Sequence, residues 1–502
     1  MKKKHRLRRL LRRRISVALM ILLQIVALVL LMLAGAKRPL VAVGMWCISG
    51  VVIVHILLYR SKRVAILPWV ILTLLFPIFG GLFYLYFHLE ASSRFVRRGL
   101  RSLSARITPP AEKAAVSLPP RERRLSVYLE RLGYPIYGDT AVTYLPSGEE
   151  MLASLLEALR TAKRYIFFEY FIIEDGVMWG QIYEILKQKA AEGVEVRVIY
   201  DDIGCFLRVP REFRKDLARD GIECRVFNPF RPIFTSLHNH RDHRKIAVID
   251  GEIAFTGGVN LADEYINAVT RFGHWKDSAV RLDGSAALSF CSIFLENWCL
   301  CKGKTEDTSP YLLPREDAGA SPVLVQPYAD SPLDGEPIAE NVYLSAIAAA
   351  EKTLYITTPY FVVDDGLVKA LTLAAKGGVD VRIVTPHIYD KRIVHMATRS
   401  YYRELIAGGV RVYEYTDGFI HEKTLVADGA LAVVGTANFD YRSLCHHFEC
   451  GTVLYGEESA VAVERDFLKV LSVSHEIEEK DLKSGVFRRL GNAILRIFAP
   501  IL

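Results

Sequence analysis

His243-Arg-Lys-Ile-Ala-Val-Ile-Asp250 and His421-Glu-Lys-Thr-Leu-Val-Ala-Asp428 repeat one pattern, His-x-Lys-x4-Asp, within a chain of 502 residues. Gly257 and Asn260 follow the first copy and Gly435 and Asn438 the second, so His and Asn are 17 residues apart both times. A single match of this kind carries little weight, but two with matching flanks point to a duplicated unit. The apolar, β-rich residues between Lys and Asp predict a strand in each copy. On a strand His and Lys share a face, whereas the Asp has opposite parity. The repeat therefore predicts one site built from two halves, each supplying a histidine, a lysine and an asparagine.

Further echoes lie upstream of each motif. Ala162–Gly176 (AKRYIFFEYFIIEDG) parallels Ala350–Gly366 (AEKTLYITTPYFVVDDG), and Glu192–Tyr200 (EGVEVRVIY) parallels Gly377–Thr385 (GGVDVRIVT). Helix-like stretches separate the paired runs, which predicts βαβ-type units and an α/β fold. Gly221–Phe227 and Gly409–Tyr415 are a third echo, after which the first half carries about ten additional residues, around Phe230–His240, expected at the site entrance. The chain is divided into a membrane segment (1–87), a basic linker (88–124), a first half (125–305), a connector (306–322), a second half (323–480) and an amphipathic tail (485–502). A twofold repeat of this length predicts an internal pseudo-dimer and not a solenoid.

The membrane segment rests on three apolar stretches, 15–36, 39–59 and 64–87, each near the roughly 20 residues that span a bilayer as helix. A cleaved signal peptide would have one shorter run. Residues 1–106 hold 19 Lys and Arg against a single acid, Glu90, while the rest of the chain has 45 against 55 acids. Basic charge thus hugs the membrane part, where it suits anionic headgroups or directs insertion. A nucleic-acid enzyme would carry that charge on its catalytic part, so no nucleic-acid partner is expected. The segment predicts a multi-pass protein of the cell membrane. Three full spans place the catalytic part outside; one interfacial stretch, for which 64–87 with its prolines is the candidate, places it inside. In the tail, Leu490, Ile494, Ile497, Phe498 and Ile501 recur at helical spacing beside Arg488, Arg489 and Arg496, predicting a helix that docks on the core or lies on lipid.

Two histidines, two lysines and two asparagines form a site of cationic and neutral donors suited to a phosphodiester. One imidazole attacks phosphorus, and the other protonates the leaving alkoxide and then deprotonates the incoming alcohol. Lysines and asparagines hold the non-bridging oxygens. The expected catalytic set is His243, Lys245, Asp250, His421, Lys423 and Asp428, the aspartates in a supporting hydrogen-bonding role, with Asn260 and Asn438 binding phosphate. Each imidazole needs a carboxylate to fix its tautomer; Asp277 and Glu449 are the candidates, and spacing leaves open which serves which. No cofactor is expected: Gly303-Lys304-Thr305 has Trp298 where a P-loop needs its first glycine. No metal is expected either, since His238 and His240 lose their third partner, His243, to the motif, and Cys299 and Cys301 lack a second pair.

FFEYFIIEDG, NHRDHRKIAVIDGEIAFTGGVNLADEY, HWKDSAVRLDG, ITTPYFVVDDG and HEKTLVADGALAVVGTANFDYRS, in that order, resemble the phospholipase D superfamily and within it the bacterial cardiolipin synthases. The resemblance covers most of residues 40–502. It implies a phospholipase D-like pseudo-dimer preceded by N-terminal transmembrane helices, and a phosphatidyl transfer between two phosphatidylglycerol molecules with His243 as nucleophile. It implies phosphatidylglycerol and anionic lipids as partners and no nucleotide. The rival within the superfamily is a phospholipase D, with water as acceptor. One departure is His447, where the superfamily commonly has asparagine.

Overall fold

In the computed structural model, residues 39–59, 66–76, 107–110, 118–229, 239–313, 323–483 and 485–501 are described, with Ser321 and a few isolated positions before residue 85. The apolar stretch 15–36, the end of 64–87, most of the linker and the extra residues 230–238 of the first half lie largely or wholly outside them. Residues 1–93 and 94–502 form two compact units.

In the first unit, α1 (Pro39–Tyr59) and α2 (Ile66–Leu75) enclose a small core of Val52, Ile56, Trp69 and Tyr84. Among the described residues no helix is long and apolar enough to cross a membrane.

The second unit opens with α3 (Pro120–Arg131), followed by the first sheet: β1 (Ala141–Leu145), β2 (Tyr165–Tyr170), β3 (Glu195–Asp201), β4 (Glu223–Phe227), β5 (Lys245–Ile249), β6 (Ile253–Gly257), with β7 (His274–Lys276) apart from it and β8 (Ala279–Asp283) within it. Its spatial order is β1-β8-β6-β5-β2-β3-β4. The second sheet comprises β9 (Leu324–Asp330), β10 (Thr353–Thr357), β12 (Asp380–Pro386), β13 (Arg411–Tyr415), β15 (Thr424–Ala427), β16 (Leu431–Gly435), β18 (Glu449–Tyr455) and β19 (Ser474–Glu476). Short β11 (Phe361–Val362), β14 (Gly418–Ile420) and β17 (Phe439–Asp440) stand outside it. Its order is β19-β13-β12-β10-β15-β16-β18-β9, so with β19 set aside the two sheets repeat one topology strand for strand. The expected βαβ units are present: β2 runs parallel to β3 and β10 to β12, with α4 (Gly148–Thr161) ahead of β2, α5 (Val177–Ala191) between the first pair and, beyond α6 (Phe213–Arg219), α7 (Ala287–Lys302), α8 (Ile338–Ala349) and then α9 (Asp365–Lys376) between the second.

Both faces of β2 are buried, which its unbroken run of aromatic and branched residues requires. Tyr165 and Phe167 pack into a core shared with the second half, while Ile166, Phe168 and Tyr170 face a separate core under α4 and α5. Within the shared core, α7 buries 12 of its 16 residues, as a helix apolar all round must. It ends at Gly303, whose φ of 74° makes Gly-Lys-Thr a helix cap and not a phosphate loop. Residues 120–137 pack on the second sheet: Gln326 donates to the carbonyl of Tyr134 at 2.8 Å, and the Tyr134 hydroxyl donates to that of Ala329 at 2.6 Å.

After α10 (Arg392–Ala407), α11 (Tyr441–Cys445) and α12 (Glu457–Ser472), the chain ends in α13 (Val486–Phe498). It docks on α10 through Arg496, which lies 4.5 Å from the Tyr401 ring centre and 2.7 Å from Glu404. Its apolar residues Val486, Phe487, Leu490 and Ile494 stay exposed, Phe487 at 92%.

Candidate active site

Each motif histidine stands just before its strand, on a short segment that pairs with the other half. The His243 amide donates to the carbonyl of Phe448 at 2.9 Å, and the His421 amide to that of Lys276 at 2.8 Å. Asp242 bridges Phe448, and β14 pairs in parallel with β7. These two seams bring each histidine to the acid of the opposite half.

The pairing is crossed. His243 Nδ1 lies 3.0 Å from both carboxylate oxygens of Glu449, and His421 Nδ1 lies 2.7 Å from Asp277 Oδ2. With Nδ1 committed to a carboxylate, Nε2 of each ring is left for chemistry. Lys245 donates to the carbonyl of His243, and Lys423 to that of His421, with its Nζ 2.8 Å from the ring's Nδ1, so each lysine shares its histidine's face as the parity predicts. All four side chains are buried.

Burial sets the protonation states. It pushes His243 well below its ordinary pKa, against the pull of Glu449, so the ring is neutral. Burial would protonate Glu449, but the hydrogen bond from His243 Nδ1 holds it well below the usual carboxylate range. Burial lowers His421 too, with Lys423 adding to the effect. Lys245 falls to about 8 and Lys423 to about 7, both chiefly through burial. Asp277 rises to about 6 for the same reason, with Lys423 opposing. Neutral imidazoles beside lysines of lowered pKa make a site poised for proton transfer near neutrality.

Close approach is built into the first half. A Cβ at Gly258 would sit 1.9 Å from Asp277 Oδ1, and one at Gly257, whose φ is 152°, would sit 2.4 Å from the carbonyl of Ser278. The second half has Thr436 in place of Gly258, and its hydroxyl donates to Glu449. A shorter acid met by glycine on one side thus matches a longer acid met by threonine on the other.

Asp250 and Asp428 leave the catalytic set. Each follows its strand, about 16 Å along the chain from the lysine at roughly 3.3 Å per residue. Asp250 accepts from the amides of Lys163, Arg164 and Tyr165, each at 2.8 Å, and Asp428 from Glu351, Lys352 and Thr353 at 2.8, 2.7 and 2.8 Å. Both have positive φ, 56° and 54°, followed by a glycine at 73° and 63°. They are hairpin residues that clamp β5 and β15 to the start of the neighbouring strand.

Asn260 is buried with its amide engaged on both ends: its oxygen accepts from Ile172 at 3.1 Å and its nitrogen donates to the Tyr265 hydroxyl at 2.6 Å. Asn438 donates to Asp440 at 3.2 Å, while its oxygen has no partner among the described residues. Each side-chain nitrogen retains a second hydrogen for a phosphate oxygen.

The sequence reading passed over the residue between His and Lys, although strand parity turns it away from the site. Arg244 donates to the carbonyls of Glu449 and Asp330, at 3.2 and 3.3 Å, across the interface. Its counterpart Glu422 accepts from Tyr144 at 2.6 Å and Ser278 at 3.0 Å, again across it. His447 is also in the site: its ring centre is 5.4 Å from that of His243, and its Nδ1 is 3.6 Å from Glu449 Oε1.

A family model described as "Cardiolipin synthase, PLD-like domain" matches residues 155–270 and 343–471, one segment in each half. A cardiolipin synthase of Halalkalibacterium halodurans is 34% identical over 474 residues, spanning 90% of this chain and 92% of its own. The chain belongs to the cardiolipin synthase family. Another relative, an uncharacterised protein of Streptococcus mutans, is 40% identical over 451 residues, 88% of this chain and 98% of its own. The crystal structure of a phosphatidylserine synthase from Haemophilus influenzae superposes with a TM-score of 0.56 at 16% identity, covering 76% of this chain and 98% of that one, and so shares the fold. Within the cardiolipin synthase family the two motif segments are thus the two sheet-containing halves of a phospholipase D-like α/β enzyme.

Proposed function

We propose that the chain is a phosphatidyltransferase that joins two phosphatidylglycerol molecules into cardiolipin and releases glycerol. The observation that carries this reading is the crossed arrangement in which two histidines, each held by a carboxylate of the opposite half, sit among buried lysines. In the first step the bound phosphodiester anion favours the imidazolium form of His421 beside Asp277. Nε2 of His243 attacks phosphorus, the bond to the glycerol oxygen breaks, and the His421 imidazolium gives that oxygen its Nε2 proton and becomes neutral. In the second, His421 takes the proton of the incoming headgroup hydroxyl, whose oxygen attacks phosphorus and frees His243. One phosphodiester replaces another, so no nucleotide is consumed. His243 is assigned as nucleophile by analogy with the phospholipase D superfamily, and Glu449 of the other half orients its ring. Lys245, Lys423, Asn260 and Asn438 hold the non-bridging oxygens.

The N-terminal apolar stretches and the basic residues of 1–106 support attachment to an anionic membrane, where a second phosphatidylglycerol is at high effective concentration. The exposed apolar face of α13 supports additional contact with lipid. The test is incubation of the purified protein in bilayers of labelled phosphatidylglycerol without nucleotide. Cardiolipin and glycerol in equal amounts are expected; phosphatidic acid as main product would make the protein a hydrolase.

A further inference from the structure

We propose that His243, His447 and Glu449 form a zinc-binding site whose occupation switches the transferase off. Each of the three offers a ligand atom, and these atoms lie within 4.8 Å of one another. Two of the spacings already fit a shared ion: 3.0 Å from His243 Nδ1 to Glu449 and 3.6 Å from His447 Nδ1 to Glu449. Zinc bonds to imidazole nitrogen and carboxylate oxygen are about 2.0–2.2 Å, so a small closing of the two rings completes a three-ligand site with a fourth position open.

His447 is the residue that makes the cluster more than a catalytic pair. Both of its ring nitrogens are buried with no hydrogen-bond partner among the described residues, although its side chain is only 11% exposed. Buried polar atoms are ordinarily satisfied, and one left unsatisfied beside a carboxylate calls for an occupant. The opposite half supplies an internal control. Trp275 precedes Asp277 by two residues as His447 precedes Glu449, and its ring lies 5.6 Å from that of His421 at 43°, against 5.4 Å and 44° for His447 and His243. Packing against the catalytic ring is therefore met by an indole in one half. The other half puts two nitrogen donors in the same place.

The donor set selects the ion. Magnesium and calcium take oxygen ligands and would leave both imidazoles unused. Zinc, and cobalt as its spectroscopic substitute, take two nitrogens and a carboxylate. A zinc ion bonded to Nδ1 of His243 displaces the proton this nitrogen gives to Glu449; the proton passes to Nε2, whose lone pair is then no longer available for attack, and the Glu449 carboxylate is taken up by the ion. No bond to substrate is made or broken, and removal of the ion restores the resting site.

The experiment uses the full chain in detergent, with His447→Asn and His447→Trp, the latter keeping the ring that Trp275 provides. Zinc uptake is measured by competition with a chromophoric chelator, which does not depend on the transfer reaction. The wild type should bind one more zinc per chain than either variant. Equal uptake would overturn the site and leave His447 a packing ring. In the transfer assay, with each protein's rate normalised to its own zinc-free rate, zinc should inhibit the wild type and EDTA should restore it, while the variants need roughly ten- to a hundredfold more zinc for half-inhibition, the scale of loss when a metal site loses a supporting residue. Equal sensitivity in the variants would reject the inhibitory role. Should both variants misfold, cobalt added to the wild type decides: bands of a tetrahedral nitrogen and oxygen site support the proposal, and a purely octahedral or thiolate spectrum overturns it.

Discussion

His243 answers to Glu449 and His421 to Asp277, so a change in one half disarms the histidine of the other. Glu449→Gln should move the titration of His243 and leave that of His421 in place, and Asp277→Asn should do the reverse, as followed by NMR of labelled imidazoles. Both should lower transfer by on the order of 10²–10⁴-fold, the range for misplacing a catalytic proton. A shift of the histidine in the same half would refute the crossed assignment. The pH profile follows from the same groups. Lys423 and Lys245 carry charge below about 7 and about 8 and lose it above, while Asp277 is ionised only above about 6. The kcat/KM of the free enzyme should therefore rise through about pH 6 and fall between about 7 and 8; activity flat to pH 9 would contradict these lysines as the phosphate clamp. The six motif residues were legible because duplication singles them out from a background of ordinary histidines and lysines. The partner acids were legible only as candidates, since which carboxylate reaches which ring depends on two seams, Asp242 to Phe448 and β14 to β7, that no local pattern announces.

At the level of strands and turns, parity separated the aspartates from the lysines correctly, and the Asp-Gly pairs are the hairpin turns that parity left unexplained. Asp250→Ala removes an acceptor of three backbone donors and, at a φ of 56°, replaces an aspartate that tolerates the left-handed region with an alanine that does not, a cost of about 3 kcal/mol. The expected result is a lower unfolding temperature with transfer per folded enzyme within a few fold of wild type at low temperature. Loss of turnover in fully folded protein would return Asp250 to the chemistry. The βαβ units could be read because buried parallel strands are continuous apolar runs. The docking of residues 120–137 on the second sheet could not, because it depends on contacts such as Gln326 with Tyr134, nearly two hundred residues apart.

For the whole molecule, exchange between like phosphodiesters runs near balance, so the direction follows the supply of alcohol. Added glycerol should deplete cardiolipin and regenerate phosphatidylglycerol in bilayers containing the enzyme, measured by lipid chromatography. A yield indifferent to glycerol would argue for water as the acceptor. The twofold architecture was visible in the sequence because three strand-like segments precede each motif in the same order; the structure extends the repeat to seven strands, whereas β19 has no echo and was missed. The crossed carboxylates also make the two repeats hostages to each other: severed within 306–322, each fragment would keep a histidine and surrender the acid that governs it. Neither repeat can then be shed, replaced or allowed to drift alone, and a descendant that loses one inherits no half-strength enzyme but a folded remnant without chemistry.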